Sequence, residues 1–257
     1  MIRVGDYVTR KSYNHDIVFK VINITSDIVL LSGINVRLSA DSPLDDLVLY
    51  NSSIEDNFDD NTFFYKSLDR NDYFYLPGCI LHFDGDKDFL DRCMKFYKKN
   101  KIKAYGFFCD EGDLASKMFE YLDKYKPDIL VITGHDAMYR KERRKGKYKN
   151  TDNFIKAIKE ARRYEKSHDK LLIVAGGCQS NYEELIKAGA NFASSPKRIN
   201  IHALDPAVIA VALSFSDRNE NIDIIKILDK TNCGALGMGG IITKGTMYVG
   251  YPREKGE

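Results

Sequence analysis

From Pro77 onward the chain alternates two hydrophobic rhythms. Continuous apolar runs bounded by turn residues (Cys79–Phe83, Ile102–Phe108, Ile129–Thr133, Leu171–Ala175 and Asn191–Ser194) are predicted to be buried strands. Between them, Lys87–Lys99, Asp113–Lys124, Asp152–Lys166 and Asn181–Ala188 space their apolar residues as helices do. The β-α-β-α order predicts an α/β fold, a mostly parallel sheet with helices on both faces. Two further helices are predicted at Asp205–Phe215 and Ile222–Lys230. A Gly234–Gly240 loop and short strands at Ile241–Thr243 and Thr246–Val249 would close the domain.

Residues 1–50 follow another pattern. Asp6–Lys11, Ile17–Ile24, Ile28–Ser32, Asn35–Ser39 and Asp46–Tyr50 are short segments rich in Val and Ile, punctuated by Gly5, Ser26-Asp27, Gly33 and Pro43. Five such strands in this span predict a small SH3-like β-barrel. Asn51–Asn61 carries Glu55, Asp56, Asp59 and Asp60 with little to bury, which predicts a solvated linker. An aromatic approach (Phe63, Phe64, Tyr65, Tyr73, Phe74, Tyr75) follows it. The expected organisation is a barrel module over 1–50, an acidic then aromatic linker over 51–76, and an α/β domain over 77–257.

Composition removes several classes of function. With 39 basic against 37 acidic residues the net charge is +2, so nothing electrostatic favours nucleic acid or an anionic membrane as partner. The apolar runs are too short to span a bilayer, and Met1–Asp6 lacks the pattern of a signal peptide. The five cysteines (79, 93, 109, 178, 233) are odd in number and show no CxxC spacing. Free thiols in a reducing compartment are expected, with neither a disulfide framework nor a structural zinc. The expectation is a soluble intracellular protein that needs no cofactor.

Two strand tips carry candidate chemistry. Asp128-Ile-Leu-Val-Ile-Thr-Gly-His135-Asp136 delivers a His directly after a Gly, and Lys170-Leu-Leu-Ile-Val-Ala-Gly-Gly-Cys178-Gln-Ser180 delivers a Cys where the chain turns toward a helix. Parallel neighbours lie about 5 Å apart, so such tips can come together. An imidazole and a helix N-terminus would favour the thiolate, the nucleophilic form. Either residue alone is more often a packing residue, but the pair on one sheet points to a Cys178 nucleophile with His135 as base. The backbone N–H groups of Cys178 and Asp136 are the expected oxyanion donors. His precedes Cys, as in caspase-like and gingipain-like peptidases, whereas class I glutamine amidotransferases place Cys first and are disfavoured.

The resemblance then becomes specific. Pro127–Ala137, Cys178-Gln-Ser180, Ala188–Pro196, Arg198–Pro206, Leu81–Asp86 and Val8–Tyr13 resemble the YabG family of sporulation-specific peptidases, over nearly the whole chain. Membership would imply proteolysis of spore-coat and related precursor proteins in the mother-cell cytoplasm of a sporulating bacterium, with association with the coat as a further option, and a preference for cleavage after Arg. The family's Cys and His map onto Cys178 and His135. An acid would be needed to receive the substrate's guanidinium, and Asp84, Asp86 and Asp205 are the candidates. The third member of a triad is not legible, so a Cys–His dyad is expected.

Weaker candidates remain. His82, Asp84 and Asp86 make a poor transition-metal set. His202 competes with His135 as base. Gly234–Gly240 lacks the phosphate-loop pattern. Tyr139–Lys149, with seven basic residues, predicts an exposed loop and is a candidate site of self-cleavage. The rival functions are a non-enzymatic coat scaffold and a thiol amidase acting on a small substrate.

Overall fold

The computed structural model describes residues 2–25, 28–51, 64, 68, 71, 73–138 and 147–251. Numbered in chain order, β1 (Tyr7–Arg10), β2 (Phe19–Ile24), β3 (Val29–Gly33), β4 (Ser39–Ser42) and β5 (Leu47–Leu49) form an antiparallel sheet in the order β4-β3-β2-β1-β5. The fourth strand, expected at Asn35–Ser39, lies further along the chain. Residues 34–38 leave the sheet because they find other partners: Val36 bridges His202 and Leu38 bridges Asp136.

The second sheet is mixed, in the order β12-β11-β10-β9-β7-β8. Its strands are β7 (Ile80–Asp84), β8 (Ala104–Phe108), β9 (Ile129–Thr133), β10 (Leu172–Gly176), β11 (Phe192–Ser194) and β12 (Met238–Gly240). The first five run parallel and β12 is antiparallel to β11. Helices α1 (Lys87–Lys99) and α5 (Asp205–Ser214) cover one face, and α2 (Leu114–Tyr125), α3 (Thr151–Tyr164) and α4 (Tyr182–Ala188) cover the other. All ten residues of α5 are buried, as expected of a helix apolar all round and enclosed by protein. Short helices α6 (Ile224–Leu228) and α7 (Gly234–Gly237) follow.

The C-terminal expectation needs correction. The glycine-rich 234–240 stretch forms α7 and the edge strand β12 instead of a loop, and Ile241–Thr243 is not a strand. Glycine is required there by packing: a Cβ at Gly240 would come within 2.5 Å of the Phe192 ring on β11. The last strand, β13 (Tyr248–Gly250), pairs with β6 (Phe74–Leu76). The aromatic approach is thus tied to the C-terminus, and Phe64 stacks on Phe215 with centroids 6.5 Å apart. The acidic stretch at 52–61 and the basic stretch at 139–146 lie outside the described residues.

One apolar cluster runs from Val8, Phe19, Val21 and Leu31 of the first sheet to Ile80, Val131, Val174 and the whole apolar body of α5. Among the described residues no helix is long and apolar enough to cross a membrane.

Candidate active site

Strands β9 and β10 pair residue for residue up to Thr133 and Gly176. His135 and Cys178 each lie two residues beyond that last pair, so the register brings them to the same end of neighbouring strands. Alternation along a strand turns both toward the α1/α5 face. Accordingly the His135 ring packs on Phe89 of α1 at 5.6 Å, and Cys178 joins the apolar cluster of α5. Gly177 lets the tips close up, since a Cβ there would lie 2.4 Å from the Gly134 carbonyl oxygen.

Asp136 fastens the two tips together. Its Oδ1 accepts the N–H groups of Ala137 (2.9 Å) and Asn150 (2.8 Å), and its Oδ2 accepts the hydroxyls of Ser180 (2.8 Å) and Thr151. Ser180 Oγ in turn accepts the Gly177 N–H at 2.9 Å. One buried carboxylate thus links the His loop, the start of α3 and the Cys turn. Burial raises its pKa, with these hydrogen bonds opposing the shift.

His135 is oriented from two sides. Its Nε2 lies 2.8 Å from Asp86 Oδ2, while Asp86 Oδ1 caps α1 by accepting the Phe89 N–H at 3.0 Å. Burial would raise the Asp86 carboxyl, but the hydrogen bonds from His135 and Phe89 hold it below its ordinary value. The His135 N–H donates to Glu111 Oε1 at 2.9 Å, and its carbonyl accepts from Asn150 Nδ2 at 2.8 Å. The remaining ring nitrogen, Nδ1, is shielded and has no hydrogen-bond partner among the described residues.

Cys178 is fully buried on a turn that also contains Gln179, whose φ is 57°. Helix α4 starts only at Tyr182, so the thiol does not sit at a helix N-terminus as its sequence suggests. Its sulfur accepts the Ile201 N–H at 3.3 Å and shares no hydrogen bond with His135. Burial pushes the thiol up to about 12, with the Ile201 and Arg37 backbone N–H groups and the Arg37 charge working the other way. Cys93, also buried, reaches about 12 and Cys233 about 11, so acidity does not single out Cys178. What distinguishes Cys178 is its place at the tip of β10, beside the β9 tip that carries His135.

A family model of the YabG peptidase, U57, matches residues 3–66 and 54–252. The chain belongs to the YabG peptidase family. The sporulation-specific protease YabG of Bacillus subtilis (strain 168) is 38% identical over an alignment of 286 positions, covering 97% of this chain and 98% of that protein. No solved structure matches the chain significantly.

In this YabG-family chain the three acids proposed to receive a guanidinium have different surroundings. Asp84, at the tip of β7, already holds one. Arg37 Nη1 lies 2.7 and 2.8 Å from its two carboxylate oxygens, and both side chains are fully buried. The same carboxylate accepts Thr133 Oγ1 (2.9 Å) and the Asp86 N–H (3.0 Å). Burial would raise Asp84, but the Arg37 charge and His82 keep it well below the usual carboxylate range. Asp86 is engaged by His135 and α1. Asp205 is buried and accepts N–H groups from Asn232 (2.7 Å), Cys233 (3.3 Å) and His202 (3.3 Å).

The guanidinium of Arg37 also donates to the Ala203 carbonyl (3.0 and 3.2 Å) and to Cys93 Sγ (3.6 Å), and lies 5.1 Å from the Phe89 ring. His82, Asp84 and Cys93 cluster closely enough to suggest metal ligands. With Arg37 on two of them, that space is already occupied by a cation. His82 is spent on Tyr97 OH (2.9 Å) and Thr133 Oγ1 (2.7 Å). His202 uses Nδ1 to accept the Leu204 N–H at 3.2 Å, which takes up the lone pair a base would need. The roles of Arg37, Asp86 as orienter, Glu111 and the Asp136 carboxylate are not apparent from the sequence; the last two are ordinary acids next to glycines or a histidine, with no local pattern to mark them.

Proposed function

We propose that the chain is a cysteine endopeptidase that cleaves after arginine in spore-coat and related precursor proteins. Membership of a sporulation peptidase family supports the setting, the cytoplasm of a sporulating mother cell. The observation that supports the chemistry is the register of β9 on β10, which brings His135 and Cys178 to the same end of neighbouring strands, with Asp86 on one nitrogen of the His135 ring. A caspase-like order of His then Cys on neighbouring parallel strands fits this reading, as does an SH3-like reading of the first sheet.

In the proposed mechanism His135 Nδ1 takes the Cys178 proton, and Nε2–H stays on Asp86. The imidazolium so formed is stabilised by the carboxylate, which makes Asp86 a positioning residue for a Cys–His pair. The thiolate attacks the carbonyl carbon that follows an arginine side chain. The N–H groups of Asp136 and Cys178 receive the developing oxyanion. His135 then protonates the leaving amine, and water hydrolyses the thioester. Asp84 is the acid of the arginine pocket, supported by its present grip on a guanidinium; a carboxylate is the natural partner for that planar cation.

The test compares wild type with Cys178→Ala on fluorogenic peptides ending in Arg, Lys or Gln before the reporter, with circular dichroism confirming that both fold. Wild type should release the reporter after Arg, and the variant should release none. Equal turnover by both proteins would remove Cys178 as the nucleophile.

A further inference from the structure

Strand β8 is the outer strand of the six-stranded sheet. It pairs with β7 along Ala104–Phe108, and among the described residues its other edge has no backbone partner. Such an edge is a row of free N–H and C=O groups that can take up another strand. Helix α1 and β8 close together at Gly106, where a Cβ would come within 2.6 Å of Met94 Sδ. Toward the start of the strand they part and leave a groove of about 660 Å³. Its apolar walls are Met94, Ile102 and Ala104, of which Ile102 is buried and the other two are half-buried.

The rim of this groove is cationic. Lys95, Lys98, Lys101 and Lys103 line it against one acid, Asp91. Lysine occupies four of the six positions from 98 to 103, in a chain whose 39 basic residues nearly balance 37 acidic ones. Carbonyls at the end of α1 attract the cations of its last turn, Lys98 and Lys99. Lys95 precedes that turn and Lys103 lies beyond the helix, so the helix end accounts for neither. Lys95, Lys98 and Lys103 are exposed, and among the described residues they form no ion pair.

We propose that the groove and the free edge of β8 form an accessory docking site for an extended acidic segment of a partner protein. The segment adds to β8 as a strand, its main chain taking up the free N–H and C=O groups. Alternate side chains of a strand point to opposite faces. An apolar side chain on the α1 side enters between Met94 and Ile102, and carboxylates along the segment meet the lysines. The strand edge and the apolar walls favour polypeptide over nucleic acid, which has no amide ladder to offer. The groove lies at the starting ends of the parallel strands, and His135 and Cys178 lie past their far ends. A segment held there leaves those tips untouched, so the inference does not depend on the peptidase reading.

The test uses the full-length Cys178→Ala chain, so that turnover at that thiol cannot enter the result. Fluorescence anisotropy follows a labelled peptide alternating Glu and Ile. Saturable binding with one peptide per chain is expected at low salt. It should weaken at least about tenfold when Lys95, Lys98 and Lys103 are all changed to Glu, because each reversal replaces an attraction by a repulsion. It should weaken similarly at about 1 M salt, where charges are screened beyond about 3 Å. Circular dichroism should show the reversed variant folded, as substitutions at exposed positions allow. A version of the peptide with Pro at alternate positions lacks the N–H groups of a strand and should not bind. Absence of binding, or an affinity unchanged by the reversals, would overturn the proposal. Equal binding of the Pro peptide would remove strand addition. Displacement by oligo(dT) more readily than by unlabelled peptide would make the rim a nucleic-acid surface instead. Neutralising Glu55, Asp56, Asp59 and Asp60 should leave the affinity unchanged; a rise of about tenfold or more would assign the groove to this chain's own acidic stretch. A dimer in size-exclusion chromatography that the peptide dissociates would assign the edge to a second copy.

Discussion

Two aspartates two residues apart divide the work at the tip of β7. Asp86 serves both a helix cap and the His135 ring, and these functions can be separated by one substitution. Asn at position 86 still offers Oδ1 to the Phe89 N–H, because Asn caps helices as well as Asp does. It loses the charge that stabilises an imidazolium. Asp86→Asn should therefore fold normally but lose kcat by roughly a hundredfold or more, with KM little changed. A variant with unaltered kcat would show that His135 needs no such orienter. Asp84 is tested through pH. Breaking its buried pair by Arg37→Gln should cost roughly 3–5 kcal/mol near neutrality. In wild type the Asp84 pKa is depressed, so its contribution is complete above the unfolded value of about 3.9 and is lost as pH falls below that. In Arg37→Gln burial acts without the cation and raises Asp84, so the variant gains stability as pH falls from 7 toward 4. The stability gap between the two proteins, measured by denaturant unfolding, should narrow over that window. A constant gap would place the pair's effect elsewhere. The placement of His135 and Cys178 just past strand ends is legible in the sequence because each follows an apolar run. Arg37 is not, because a charged residue at an alternate position of a predicted strand looks like a solvent-facing side chain; only its partner across the fold makes it a buried one.

At the level of elements, hydrophobic period is a sound guide wherever an element is buried by its neighbours. Strand β9 and helix α1 occupy the predicted residues, and β7, β8, β10, β11 and α2 to α5 differ by a few residues at their ends. The differences are larger where pairing is decided by distant partners. Residues 35–38 have strand-like composition and do pair as strands, but with the His tip and the 199–203 loop. The Gly234–Gly240 stretch departs from expectation because small residues fit an edge strand as well as a loop. The Gly-Gly before Cys178 makes a prediction at this scale. A methyl at Gly177 would lie 2.4 Å from the Gly134 carbonyl oxygen and 3.0 Å from the Asp136 nitrogen, and would push β9 and β10 apart at their tips. Gly177→Ala should lose roughly 1–3 kcal/mol of stability. Its peptidase activity should fall by much more than that loss would explain at temperatures where the variant is still folded. Melting curves alongside kcat/KM would decide, and an Ala variant with wild-type activity would show that the tips need not approach so closely.

Across the whole molecule, one apolar core spans the first sheet, expected as a barrel module over 1–50, and the α/β part of the chain. Val8, Phe19, Val21 and Leu31 share one cluster with Ile80, Val131 and α5. A chain beginning at residue 51 would uncover that apolar surface and leave Asp84 buried without Arg37. It should therefore lack a cooperative thermal transition and associate in size-exclusion chromatography. A truncated chain that unfolds cooperatively and elutes as a monomer would show that the two sheets do not depend on this shared core.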